Sequence, residues 1–102
     1  MSETVEITHL ENGQGGEYRA MVPDSEFFGR MTWRRSGAEG EDIRLVDHTI
    51  VPPEIGGRGI AGQLMQALIA DARAQGFRIV PECSYVVAQF RRHPEWADLL
   101  AE

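Results

Sequence analysis

The hydrophobic pattern of the chain changes period once, at Pro52-Pro53, and that change constrains the fold more than any other feature. Before it, runs rich in β-branched and aromatic residues alternate with turn residues: Val5 to His9, Tyr18 to Val22, Phe27 to Arg34 and Ile43 to Val51. Asn12-Gly13 and Gly15-Gly16 tolerate positive φ, Pro23-Asp24-Ser25 reads as a second turn, and Ser36 to Asp42 as a third, looser one. Connections this short predict an antiparallel meander. After the prolines, Leu64, Leu68 and Ala72 recur every fourth residue with Met65 and Ile69 beside them. That spacing predicts an amphipathic helix, ended by Gly76 in the left-handed position that follows many helices. Phe77-Arg78-Ile79-Val80 then reads as a short buried strand, Tyr85 to Arg92 as a second helix, and Pro94 as the first turn of a last one through Trp96 and Leu99. A strand, a helix and a strand make a right-handed crossover, so 77–80 should lie parallel to 43–51 with the helix on one face. The expected class is α+β, a mixed, mostly antiparallel twisted sheet with one β-α-β crossover.

A chain of 102 residues is expected to form a single domain, 1–102. Sixteen acidic residues against ten basic ones leave a net charge of −6, which argues against nonspecific nucleic-acid binding, so an anionic ligand must be held locally. Every basic residue is arginine, which excludes a Schiff-base lysine and the lysine of a P-loop. One cysteine, Cys83, cannot form an internal disulfide or a cysteine-rich zinc site, and His9 has no partner at ligand spacing, so no metal is expected. No apolar run suits a membrane helix, and Met1-Ser2-Glu3-Thr4 does not read as a signal peptide; a cytoplasmic location is the expectation.

The chemical signal lies between the fourth strand and the main helix, in Gly56-Gly57-Arg58-Gly59-Ile60-Ala61-Gly62. Four glycines in seven residues have two readings. They bring backbone amides and a helix N-terminus up to a phosphate, or they only make a tight strand-to-helix turn with close packing.

The stretch from His48 to Ala61, with Thr49-Ile50-Val51-Pro52 leading into the glycines, resembles the acyl-CoA motif of the GNAT superfamily of N-acetyltransferases. Pro81-Glu82-Cys83-Ser84-Tyr85-Val86 and Arg92-His93-Pro94-Glu95-Trp96 extend the likeness to a minimal GNAT-like family of about one hundred residues, over roughly 26–98. The resemblance implies acetyl-CoA or CoA as ligand, its pyrophosphate on Gly57, Arg58, Gly59, Ile60, Ala61 and Gly62 and its pantetheine arm on Thr49 and Val51. The motif's first position usually holds Gln or Arg and here is Gly56, which removes a side-chain donor that Arg58 could replace through charge. The acceptor it implies is an amine. A full-length member has N-terminal helices that wall the acceptor site; without them the expectation is a protein or peptide amine, a second copy in a homodimer supplying the wall, or no substrate.

Cys83 precedes the second helix, where N-terminal amides would favour a thiolate able to accept an acyl group from a thioester. His48, on the neighbouring parallel strand, would be its base if the ring turns inward. The competing readings are an inert packed thiol and a neutral strand histidine. Direct attack by the amine, with Asp47, Glu54, Glu82 or water as base, is the other route. Arg91 or Arg92 could reach a CoA 3′-phosphate. Trp33-Arg34-Arg35 is a weak basic and aromatic run, set against the acidic balance of the chain. Function therefore divides between an acetyl-CoA-dependent N-acetyltransferase with Cys83 as acyl relay and a CoA-binding module with little turnover. A general phosphate-binding turn for some other nucleotide is the third reading.

Overall fold

The computed structural model describes residues 5–23, 25–38 and 40–101. Met1 to Thr4, Asp24, Glu39 and Glu102 lie outside the described residues, and with them part of the turns expected at 23–25 and 36–42. Five strands, β1 (Glu6–Glu11), β2 (Gly15–Met21), β3 (Phe28–Ser36), β4 (Ile43–Ile50) and β5 (Arg78–Pro81), form one sheet in chain order. The first four pair antiparallel and β5 lies parallel to β4, across the crossover made by helix α1 (Ile60–Gln75). Helix α2 (Ser84–Arg92) and a 3-10 segment, Pro94–Leu99, follow. A further one-turn 3-10 helix at Pro53–Ile55 was not legible in the pattern; it buries Ile55 in the core. Among the described residues no helix is long and apolar enough to cross a membrane.

Alternation decides which face each strand buries. Tyr18 and Ala20 of β2, Met31 and Trp33 of β3 and Val46 of β4 point to the face where α1 lays down Ile60, Leu64, Met65, Leu68, Ile69 and Ala72. Phe90, Trp96 and Leu99 are buried and complete this core. Gly76 takes φ of 79° and returns its N–H to the Ala72 carbonyl, the termination that its position predicts.

The first hairpin turns differently from expectation. None of Gly13, Gly15 and Gly16 has positive φ; the Asn12 side chain makes the turn by accepting the amides of Gln14 and Gly15. Gly15 and Gly16 are strand residues that let Trp33 lie close, since a Cβ on Gly16 would stand 2.8 Å from the indole. Gly29 serves α1 in the same way: a Cβ there would meet Ile60 Cγ2 at 2.7 Å. Gly29→Ala should therefore push the first turn of α1 off the sheet and cost about 1–3 kcal/mol, read as a lower urea midpoint at unchanged slope.

A polar chain runs under α1. Tyr18 donates to Asp71 Oδ2 at 2.7 Å, Trp33 Nε1–H donates to His9 Nε2 at 3.0 Å, and the His9 ring stacks on Tyr18 at 4.1 Å. Accepting from Trp33 requires an unprotonated Nε2. Burial accordingly lowers the His9 pKa, with Arg44 adding and Glu11 and Asp71 opposing. Unfolding frees the ring to return toward its ordinary 6.5, so the stability that it contributes is complete above 6.5 and is lost as pH falls from there to the folded-state value. His9→Gln should flatten the slope of unfolding free energy against pH just below 6.5; an unchanged slope would mean that His9 titrates alike folded and unfolded.

Candidate functional site

Strands β4 and β5 pair from Ile43 to Val46 and then part. At the parting point the Val46 carbonyl accepts two amides, Glu82 N–H at 3.0 Å and Cys83 N–H at 3.1 Å, which turns the chain out of β5 toward α2. From Asp47 to Ile50, β4 keeps β3 on one side and has no strand on the other, so part of its backbone faces an open slot.

At the same place β4 carries a bulge. Thr32 pairs with His48 and Trp33 with Val46, leaving Asp47 as the extra residue, and Thr32 Oγ1 donates to Asp47 Oδ1 at 2.6 Å. The insertion exchanges the two faces beyond it. Strict alternation from buried Val46 would turn His48 inward. With the bulge, Thr49 pairs with Met31 and joins the α1 face, whereas His48 pairs with Thr32 and is exposed on the face without helices. The inward-turned His48 of the sequence reading is therefore not what the fold presents: Thr49, not His48, meets Cys83, with Sγ and Oγ1 3.5 Å apart.

Cys83 is half-buried and is the N-cap residue of α2. Burial alone would raise its thiol pKa, but the Thr49 hydroxyl and the amides of Val86, Tyr85 and Thr49 together outweigh burial and lower it.

The glycine segment stands at the other end of the slot. Gly57 and Gly59 both have φ of 75°, and Gly59 is the N-cap of α1. That helix has no capping side chain and no acidic residue in its first turn. The N–H groups of Ile60, Ala61 and Gly62 come before the first bond of the helix, Gln63 N–H to the Gly59 carbonyl at 3.2 Å, and so have no acceptor within it. Positive φ explains glycine at 57 and 59. It does not explain Gly62, which is helical and exposed and whose missing Cβ would meet nothing within 4 Å. Close packing therefore accounts for none of these three.

The remaining expected positions fall around this frame. Ile60 is buried and Ala61 half-buried; Arg58 is exposed; Val51 lies just past β4, packed against the core. Gly56 is extended, its N–H returned to the Pro53 carbonyl. Arg91 and Arg92 are exposed on the last turn of α2, Glu54 is exposed, and Glu82 lies 3.9 Å from Arg34. Trp33 is core, so it offers no ring to a nucleobase. The described residues contain no cluster of three or more metal-ligating side chains. Sequence reasoning missed the Asp47 bulge, for which there is no local signal. It also missed Gly29, whose signal was a lone glycine inside a strand.

A family model described as GCN5-related N-acetyl-transferase matches residues 17–99. The chain belongs to this family. The GNAT fold is seen again in two solved structures. One is a GCN5-like protein from Staphylococcus aureus, at 24% identity and a TM-score of 0.67, over 94% of this chain and 87% of that one. The other is a ribosomal-protein-alanine N-acetyltransferase from Brucella melitensis biovar Abortus 2308, at 17% identity and a TM-score of 0.66, over 98% and 93%. At these identities the likeness is one of overall fold.

Proposed function

We propose that this GNAT protein binds acetyl-CoA and transfers the acetyl group to an amine by way of Cys83. The observation that carries the reading is Gly62: an exposed glycine inside a helix costs about 0.5–1 kcal/mol relative to alanine, and among the described residues none uses the space it leaves. A pyrophosphate set on the first-turn amides of α1, which have no acceptor within the helix, uses that space, and the positive end of the helix, uncapped by any side chain, offsets its charge. The open edge of β4 from Asp47 to Ile50 suits a pantetheine arm, whose amides can add to it as a further strand would. Such an arm runs from the glycine turn toward the parting point, where Cys83 stands.

In the first step the Cys83 thiolate attacks the thioester carbonyl, the bond to the CoA sulfur breaks, and CoA leaves as its thiolate. In the second the acceptor amine attacks the Cys83 thioester, loses a proton to solvent or the departing thiolate, and frees Cys83. Amides of the α2 N-terminus favour the negative sulfur in both steps. The sheet face without helices carries His48, Asp47 and Thr32 beside the parting point, and this is the side from which a protein or peptide amine would approach.

Calorimetric titration with acetyl-CoA and with CoA tests the binding, and intact mass after incubation with acetyl-CoA tests the relay. Saturable binding with one acetyl adduct, absent in Cys83→Ala, is the expected result. Binding without an adduct, and with transfer kept in Cys83→Ala, would replace the relay by direct attack. No binding would leave the glycine segment as a turn only. Displacement by ATP or NAD at the same concentrations as CoA would remove the pantetheine slot from the site.

A further inference from the structure

Thr49 belongs to β4 beyond the bulge, and its hydroxyl meets one polar side chain among the described residues, the Cys83 sulfur at 3.5 Å. The contact joins two elements: the side chain comes from β4, while the sulfur sits on the N-cap of α2, tied back to β4 through the two amides on the Val46 carbonyl. We propose that Thr49 is a positioning residue, its hydroxyl orienting the Cys83 sulfur and stabilising the negative charge on it. The inference deepens the acyl-relay reading and rests on it for its catalytic meaning, though the contact itself does not.

In the neutral state the Cys83 S–H donates to Oγ1. When the thiol gives up its proton, the hydroxyl turns and donates to the sulfur, so one pair of atoms serves both states. The helix amides of Tyr85 and Val86 complete a ring of donors around the sulfur, and donors of this kind, not a neighbouring cation, outweigh its burial. The other ionisable groups nearby are Tyr85 and Arg92 on α2, Glu82 paired with Arg34, and Asp47 and His48. Burial raises the Tyr85 pKa, with Arg92 opposing and Cys83 adding. Asp47 and His48 turn to the opposite sheet face, with Thr32. The bulge is what makes this arrangement available, because it exchanges an imidazole for a hydroxyl at the sulfur.

The experiment is the pH profile of Cys83 alkylation by iodoacetamide in the full chain, for the native protein, Thr49→Val and Thr49→Ser. Thr49→Val keeps the branched shape and removes the donor; its inflection should move up by about one pH unit, with an alkylation rate near neutral pH about tenfold lower. Thr49→Ser, which keeps the donor, should follow the native profile. Coincidence of the Thr49→Val and native profiles would overturn the proposal, and so would an equal shift in both variants, which would mark a packing effect. Intact mass with acetyl-CoA on the same samples separates this inference from the relay. A shifted profile without an adduct in the native protein keeps the Thr49 contact and removes the relay. An adduct forming equally fast in native protein and Thr49→Val keeps the relay and removes Thr49.

Discussion

Gly62→Glu should raise the stability of the protein while lowering its affinity for acetyl-CoA at least a hundredfold, about 2.7 kcal/mol or more. The two effects have one origin. Gly62 is the third residue of α1, exposed, and among the described residues nothing stands within 4 Å of where a Cβ would be, so a Cβ there displaces none of them. Replacing a helical glycine contributes about 0.5–1 kcal/mol, and a carboxylate in the first turn adds about 0.3–1 kcal/mol by facing the positive end of the helix. The same carboxylate takes the amides that we assign to the pyrophosphate and repels it by charge. Gly62→Ala separates bulk from charge, since it should be more stable than the native protein and bind more weakly than native but more tightly than Gly62→Glu. Thermal unfolding and calorimetric titration of both variants check this. Unchanged affinity in Gly62→Glu would place the ligand elsewhere.

Arg44→Ala should cost about 3–5 kcal/mol, a large share of the roughly 5–15 kcal/mol that holds a domain together. Arg44 is 2% exposed, and its guanidinium lies 4.2 Å from the Trp33 ring centroid and 3.8 Å from that of Phe77. It donates to Asp42 and to Gln75, each at 3.3 Å, so it ties β4 to the C-terminal end of α1. Truncation empties the space between two rings and takes away both donor contacts. Yet Nη1 is buried without a hydrogen-bond partner, and that orphan nitrogen works against the fold. Arg44→Met fills the same space without a buried charge and should change stability by about 1.5 kcal/mol or less in either direction. Chemical denaturation of both variants decides the matter. Equal losses would show that the ion, not the packing, holds this corner.

The glycine segment was legible because its chemistry is local. Positive φ, amides with no acceptor within the helix and the start of a helix all follow from residues within a few positions of one another: Gly57 and Gly59 take positive φ, and Gly62 stands in the first turn of α1. The partnership of Cys83 was not legible in the same way. Its sulfur meets a residue 34 positions away, and which residue that is depends on the face to which each β4 side chain turns. Period two, carried on from Val46, points His48 inward; the one-residue bulge at Asp47 points Thr49 inward instead. Nothing near Asp47 in the chain announces the bulge, because it is made by pairing with β3 and held by the Thr32 hydroxyl.

The sequence by itself determined the α+β class, the change from meander to crossover at Pro52-Pro53, the amphipathic face of α1 and its end at Gly76, since each rests on periodicity or on the backbone preference of one residue. Only the tertiary structure decided that Gly29 admits Ile60, that Gly15 and Gly16 admit Trp33, and that a threonine, not a histidine, stands at the sulfur. Each of these depends on which strand lies beside which and in what register, and register is a property of the assembled sheet.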